Sequence, residues 1–280
     1  MNFIMEMLTR NKAKKKAKNN VEESHIVNSK TPFAIREAYK TLFTNVRYLN
    51  IADKCKKIVV TSAFPGEGKT TLSCNLALTL AQNLEDKRVL LIDSDMRRPR
   101  VCFNLGIATD THGLSEYLAG IDNDPHFEYS SDGKLVVLPA GGSNVNPTKL
   151  ISSERMQKLL EACSNEFDYI IIDTPPVTVV ADAVLYNSNV NGYILASRSE
   201  YSLVPRTQEC IEALEQVGAE IYGIVLSDLN IGKIDGKYGK YGKYGKYGKY
   251  SKYSKYSKYS RYSRYSRYAS YSRYDDKGNE

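Results

Sequence analysis

Histidine and cysteine are scarce in this 280-residue chain, with three of the first and five of the second (Cys55, Cys74, Cys102, Cys163, Cys210). No CxxC pair and no His/Cys spacing of a zinc site occurs, and most of the cysteines fall inside apolar periodic segments. A disulfide framework is thereby excluded, and the thiols read as reduced core residues of an intracellular protein. No apolar run approaches the ~18–20 residues that a membrane span needs. Residues 1–8 are too short for a signal peptide and contain Glu6. A cytoplasmic protein is expected, meeting a membrane only through a partner or through charge.

Aliphatic side chains nearly vanish from residues 233–280, and residues 1–30 are polar and basic with a lysine-rich run at 12–18. Neither segment can build a core. That leaves 31–232, about 200 residues of ordinary apolar content, enough for one α/β domain. Acid is missing too from 237–273. Eight lysines and four arginines there give +12 against +7 for the whole chain, so the rest carries a net −5. A mildly acidic body is joined to a strongly basic tail.

Along the body, strand and helix patterns alternate. Thr31-Pro32 reads as an N-cap with proline at the first helical position. Ile35, Ala38, Leu42, Val46 and Leu49 follow at helical spacing. Strands are expected at 57–63, 88–95, 135–140, 168–174, 193–197 and 221–228, and helices at 70–83, 152–164 and 203–217. The strand runs (VLLID, YIIID, YGIVL) are continuously apolar rather than alternating. This is the pattern of a mostly parallel sheet covered by helices on both faces. Ligands on such sheets sit at the C-terminal strand ends.

The first strand runs into Ala63, Phe64, Pro65, Gly66, Glu67, Gly68, Lys69, Thr70 and Thr71, and a helix follows directly. This is a P-loop with alanine in place of the first glycine. Its glycines let backbone N–H groups curl around phosphate oxygens, Lys69 reaches the β/γ-phosphates, and the Thr70 hydroxyl suits Mg²⁺. Two more strand ends carry acids. LLIDSDMRRP places Asp93 and Asp95 two apart, and YIIIDTPP ends a buried strand on Asp173, a Walker B position for Mg²⁺. Nothing in the sequence fixes the direction of Arg97 and Arg98.

Together, PGEGKT, LLIDSDMRRP and YIIIDTPP resemble the bacterial tyrosine kinases of capsule and exopolysaccharide synthesis, stand-alone type, over roughly residues 33–230. The resemblance implies a P-loop fold of the deviant Walker A type shared with ParA/MinD-like ATPases. Those ATPases carry a signature lysine at the second loop position, where this chain has Phe64. It also implies ATP and Mg²⁺ as cofactors, Asp93 as proton acceptor, and Asp95 nearby for metal or positioning. The implied partners are a membrane-anchored activator of the polysaccharide co-polymerase type, a homo-oligomeric ring and a phosphotyrosine phosphatase, with no nucleic acid. The family's first helix carries an acidic–Arg–Arg–Asn pattern for ring assembly. Here Glu37, Lys40, Phe43, Thr44 and Asn45 stand there, so lysine and phenylalanine replace the arginines.

The tail repeats KYG, then KYS and RYS, with Tyr238, Tyr241, Tyr244, Tyr247, Tyr250, Tyr253, Tyr256, Tyr259, Tyr262, Tyr265, Tyr268, Tyr271 and Tyr274. A period of three fits neither a helix face nor a strand face. With a charge in nearly every triplet it is expected to be disordered. Interleaved tyrosine and basic residues also suit stacking on single-stranded nucleic acid or adhesion to an anionic membrane. Beside a P-loop, a flexible phospho-acceptor is the better reading, since a repeat offers many equivalent hydroxyls at high effective concentration. The alternative is a switch ATPase whose basic tail is a tether.

Overall fold

The computed structural model describes residues 26–108, 112–142 and 146–229. The expectations for residues 1–25 and for the tyrosine repeat lie outside the described residues.

Seven strands form one sheet: β1 (Lys56–Ser62), β2 (Val89–Asp93), β3 (Glu128–Tyr129), β4 (Leu135–Leu138), β5 (Tyr169–Asp173), β6 (Gly192–Arg198) and β7 (Ile221–Ser227). The order is β3-β4-β2-β5-β1-β6-β7, parallel throughout except for the short antiparallel edge β3. Helices α1 (Phe33–Arg47), α2 (Lys69–Asn83), α3 (Val101–Leu105), α4 (Leu114–Ala119), α5 (Pro147–Ile151), α6 (Glu154–Glu166) and α7 (Val204–Glu215) connect them, with a 3-10 helix at Ala181–Asn189.

The strands are apolar on both faces because both faces are covered. Alternate residues of one strand feed separate cores. Ile58, Val60, Leu91 and Ile171 pack with Leu72, Leu76 and Leu80 of α2. Val59, Leu90, Ile92, Ile170 and Ile172 pack with Leu159, Leu160 and Cys163 of α6 and Leu214 of α7. All five cysteines are buried and none forms a disulfide, as expected of core thiols. Burial pushes the Cys55 thiol up to about 11 and that of Cys210 to about 12. No helix among the described residues is long and apolar enough to cross a membrane.

Several local expectations need correction. Thr31 does not cap the first helix. Pro32 holds that position, and the Thr31 hydroxyl accepts from Asn28 N–H instead. Of the expected stripe, Val46 is buried and Leu42 and Leu49 are half-buried. Ile35 and Ala38 face solvent, while Tyr39 and Phe43 take part in the packing. Lys40 pairs with Glu37 in its own helix at 2.7 Å, and Phe43 turns into its own core. Between β2 and β4 the chain builds α3, α4 and β3.

Candidate functional site

Asp93 ends β2 and Asp173 ends β5, and the two are register partners across the parallel pair. Both carboxylates are therefore delivered side by side at the C-terminal edge. Adjacent β1 delivers the loop. Ala63 is buried, Gly66 and Gly68 take φ of +86° and +89°, and α2 starts at Lys69 with no side-chain cap. The positive φ angles explain the glycines. An uncapped N-terminus leaves its first amides for an anion.

The side chains converge tightly. Lys69 Nζ donates to Asp95 Oδ2 at 2.6 Å, Thr70 Oγ1 to Asp173 Oδ2 at 2.7 Å, and Ser73 Oγ to Asp173 Oδ1 at 3.0 Å. Asp93 Oδ2 accepts from the backbone of Arg100 (3.2 Å) and Val101 (3.0 Å) at the start of α3. Its Oδ1 accepts from Asp95 N–H at 3.3 Å. Asp93, Asp95 and Asp173 are all nearly inaccessible to solvent.

Three acids thus face one lysine in a buried space. Burial, then the Asp173 charge, pushes the Asp93 carboxyl up to about 8, against the opposing pull of the Val101 amide. Burial raises Asp173 too, resisted by Lys69, Thr70 and Ser73. Burial alone would lower the Lys69 ammonium, but Asp173 and Asp95 outweigh it and hold its pKa above the ordinary value. Such an excess of negative charge, with a hydroxyl beside it, is a hard oxygen donor set that fits a divalent cation such as Mg²⁺. Thr70, Asp95 and Asp173 are the residues that would hold it.

The remaining loop residues are clasped from outside. Glu67, 1% exposed, accepts from Phe64 N–H at 2.8 Å and from the Ser202 hydroxyl. Tyr201 donates to the Pro65 carbonyl at 2.9 Å, and a β-carbon on Gly66 would lie 3.0 Å from its hydroxyl oxygen. Thr178 donates to the Ala63 carbonyl at 2.5 Å. Phe64 is half exposed. The Thr71 carbonyl accepts from Asn75, inside α2. Arg97 is not loose surface charge, because its guanidinium bonds Asp182 at 2.9 and 3.2 Å and Thr148 at 3.2 Å. Arg98 N–H donates to Asp95 Oδ1 at 3.0 Å and to the Asp95 carbonyl at 3.1 Å.

Sequence reasoning brought Lys69, Thr70, Asp93, Asp95 and Asp173 to one place, and the structure places them together. It missed Ser73, whose i+4 spacing from Lys69 on one helix face is a usable signal. It also missed Tyr201, Ser202, Thr178 and Asp182, for which no local pattern exists. The tyrosines Tyr238 to Tyr274 lie outside the described residues.

Residues 55–221 match a family described as an AAA domain. The chain is 34% identical over 199 residues to the tyrosine-protein kinase YwqD of Bacillus subtilis, covering 70% of this chain and 82% of that one. It is 34% identical over 192 residues to the tyrosine-protein kinase etk of Escherichia coli, 68% of this chain but only 26% of that longer protein. The solved kinase domain of that E. coli enzyme superposes with a TM-score of 0.67 at 29% identity, over 81% of this chain and 86% of the domain. The MinC:MinD cell division complex of Aquifex aeolicus superposes at 0.51 and 25% identity, over 62% of this chain and 68% of that one. The deviant P-loop architecture is common to both.

Proposed function

The chain belongs to the bacterial tyrosine-protein kinases, and from that premise we propose that it moves the γ-phosphoryl group of ATP to tyrosines of its own C-terminal repeat, between subunits. The supporting observation is the meeting of an uncapped α2 N-terminus with Lys69 and three buried carboxylates, in a chain that carries thirteen evenly spaced tyrosines. A tyrosine hydroxyl has a pKa of about 10 and is a poor nucleophile without a base. Asp93, which a bound cation would return to its ionised form, accepts that proton as the phenolic oxygen attacks the γ-phosphorus, the bond to the β–γ bridging oxygen breaks, and ADP leaves. Lys69 exchanges its contact with Asp95 for phosphate oxygens, and the loop amides from Pro65 to Thr71 hold the α- and β-phosphates. Mg²⁺, when bound, neutralises the triphosphate and so favours charge transfer to the leaving group. Thr70, Asp95 and Asp173 would hold it, and Ser73 keeps the Asp173 carboxylate turned toward Thr70.

The basic repeat is drawn to the acidic body of a neighbouring subunit, an attraction weakened by salt. Each phosphotyrosine adds roughly −1.5 to −2. Modifying about seven of the thirteen therefore cancels the +12 and loosens a self-assembled ring. In the cell we place the protein in the cytoplasm, recruited to the membrane by the cytosolic segment of an anchored activator. There it regulates capsular or extracellular polysaccharide synthesis or export, and a phosphotyrosine phosphatase resets it. The switch-ATPase alternative lacks its lysine at Phe64, so it is the second choice.

The test is anti-phosphotyrosine detection after incubation with Mg·ATP, with and without the activator segment, and with Lys69→Met as control. Signal confined to the tail and lost in the control supports the proposal. ATP turnover without phosphotyrosine, even with activator, replaces it with the switch ATPase.

A further inference from the structure

Outside the phosphate site, one more group of metal-ligating side chains converges among the described residues. His112 lies just ahead of α4, Asp122 just past its C-terminus, and His126 on the approach to β3. His112 Nδ1 is 2.8 Å from Asp122 Oδ2, and His126 Nε2 is 3.6 Å from the same oxygen. Ligand atoms of all three lie within 4.8 Å of one another. The two imidazoles are 5.2 Å apart and tilted by 40°, so they are not stacked. We propose that His112, Asp122 and His126 form a binding site for a late first-row divalent cation, with Zn²⁺ the best fit.

The spacing favours metal over mere hydrogen bonding. A tetrahedral ion with bonds of about 2.0–2.1 Å sets its ligand atoms roughly 3.3 Å apart. The observed 2.8 and 3.6 Å straddle that value. One imidazole on the carboxylate is explained by a hydrogen bond. The second, at 3.6 Å, is beyond hydrogen-bond range, and a shared ion would account for both approaches at once.

The three backbones are also anchored. Asp122 N–H donates to the Glu116 carbonyl at 3.2 Å, and Arg155 donates to the Asp122 carbonyl at 2.7 Å while lying 4.4 Å over the Tyr117 ring. His112 precedes Gly113, where a β-carbon would meet the Pro139 carbonyl at 2.4 Å. His126 precedes Phe127, which is 1% exposed in the core. The side chains themselves stay accessible, at 42% and 48% for the histidines and 16% for Asp122, so a hydrated ion can enter and keep a water as fourth ligand.

Donor chemistry separates this site from the phosphate site. Two imidazoles and one carboxylate select zinc-like ions, whereas an all-oxygen set selects Mg²⁺. Bound there, the ion ties the lead-in of α4 to the turn that follows it.

The test uses the full chain, stripped by chelation, then saturated with Mg²⁺ and ADP so that the phosphate site is filled. Calorimetric titration with ZnCl₂ is expected to give one equivalent per chain, with the resonances of two of the three histidines shifting in NMR. His112→Ala, Asp122→Asn and His126→Ala each weaken binding by about tenfold or more, and His25→Ala leaves it intact. His126→Gln, at a half-exposed side chain, serves as the variant whose metal-free melting should match the parent. No saturable zinc binding in the presence of Mg·ADP overturns the proposal. So does undiminished affinity in a correctly melting His126→Gln.

Discussion

The two ends of strands β2 and β5 are built from the same residue types and behave in opposite ways. At the N-terminal edge, Lys87 Nζ meets Asp168 at 2.7 Å and Arg88 meets Glu166 at 3.1 Å, with Arg88 N–H also donating to Asp168. Two cations face two acids, and Lys87 is half exposed. At the C-terminal edge, Lys69 meets Asp95 at 2.6 Å, but Asp93 and Asp173 add two further acids, all buried. Ion-pair length is nearly the same at both ends. What differs is the balance: matched charge at one edge ties strands together, and the excess of acid at the other must take up either a proton or a cation. Balanced pairs are architecture, and the imbalance is the site.

That contrast can be broken most severely at Lys69. Lys69→Met or Asp173→Asn should lower phosphotyrosine formation by about a hundredfold to a thousandfold, as loss of a transition-state charge partner does. The fold should survive, as read by circular dichroism. Activity within a few-fold of the parent in either variant would remove these residues from the chemistry.

The imbalance should also be visible as pH-dependent stability without any ligand. Asp93 has a folded pKa of about 8 against an unfolded value of about 3.9. Between the two, the native state holds the extra proton, so this carboxyl's contribution to stability is fully present below about pH 4 and is lost as pH rises toward 8. The slope is on the order of 1 kcal/mol per pH unit, or a few degrees in melting temperature. Asp93→Asn should flatten the curve, and saturating Mg²⁺ should oppose the fall by holding the carboxylates ionised. A melting temperature independent of pH from 5 to 8 would contradict the burial of this charge.

A smaller effect is expected from the clasp on the loop. Tyr201→Phe or Ser202→Ala removes one hydrogen bond worth about 1 kcal/mol. Nucleotide affinity should weaken by about fivefold, measured by fluorescence titration, with global stability little changed. Least of all, Lys87→Ala should cost under about 1 kcal/mol, as exposed pairs do, and leave kcat and KM unaltered. A loss of activity there would mean that the two edges are coupled.

Much of this was legible in the sequence for a physical reason. A buried parallel strand must be apolar throughout, so VLLID and YIIID announce both the strand and the first polar atom beyond it. Gly66, Gly68 and Lys69 are likewise constrained by backbone conformation and phosphate geometry within a few residues. Contacts between distant segments carry no such local mark. Asp182 sits in a 3-10 helix with no periodic signal, yet it holds Arg97 and Thr148 from 85 and 34 residues away. Tyr201 and Ser202 reach the loop across 136 and 135 residues. The convergence of His112 with His126 required α4 and its closing turn to be folded first. Thr31 misled because an N-cap residue and a turn residue have the same composition, and only the hydrogen bond to Asn28 tells them apart.

The five sequestered thiols have a practical consequence. Each is at most 5% exposed, so the folded body presents almost no sulfur to a water-soluble electrophile. A single cysteine introduced in the repeat, such as Tyr274→Cys, would then be the preferred point of attachment for a fluorophore or spin label, with no native residue to remove. The distance from that label to a nucleotide analogue in the loop could then be followed during incubation with Mg·ATP.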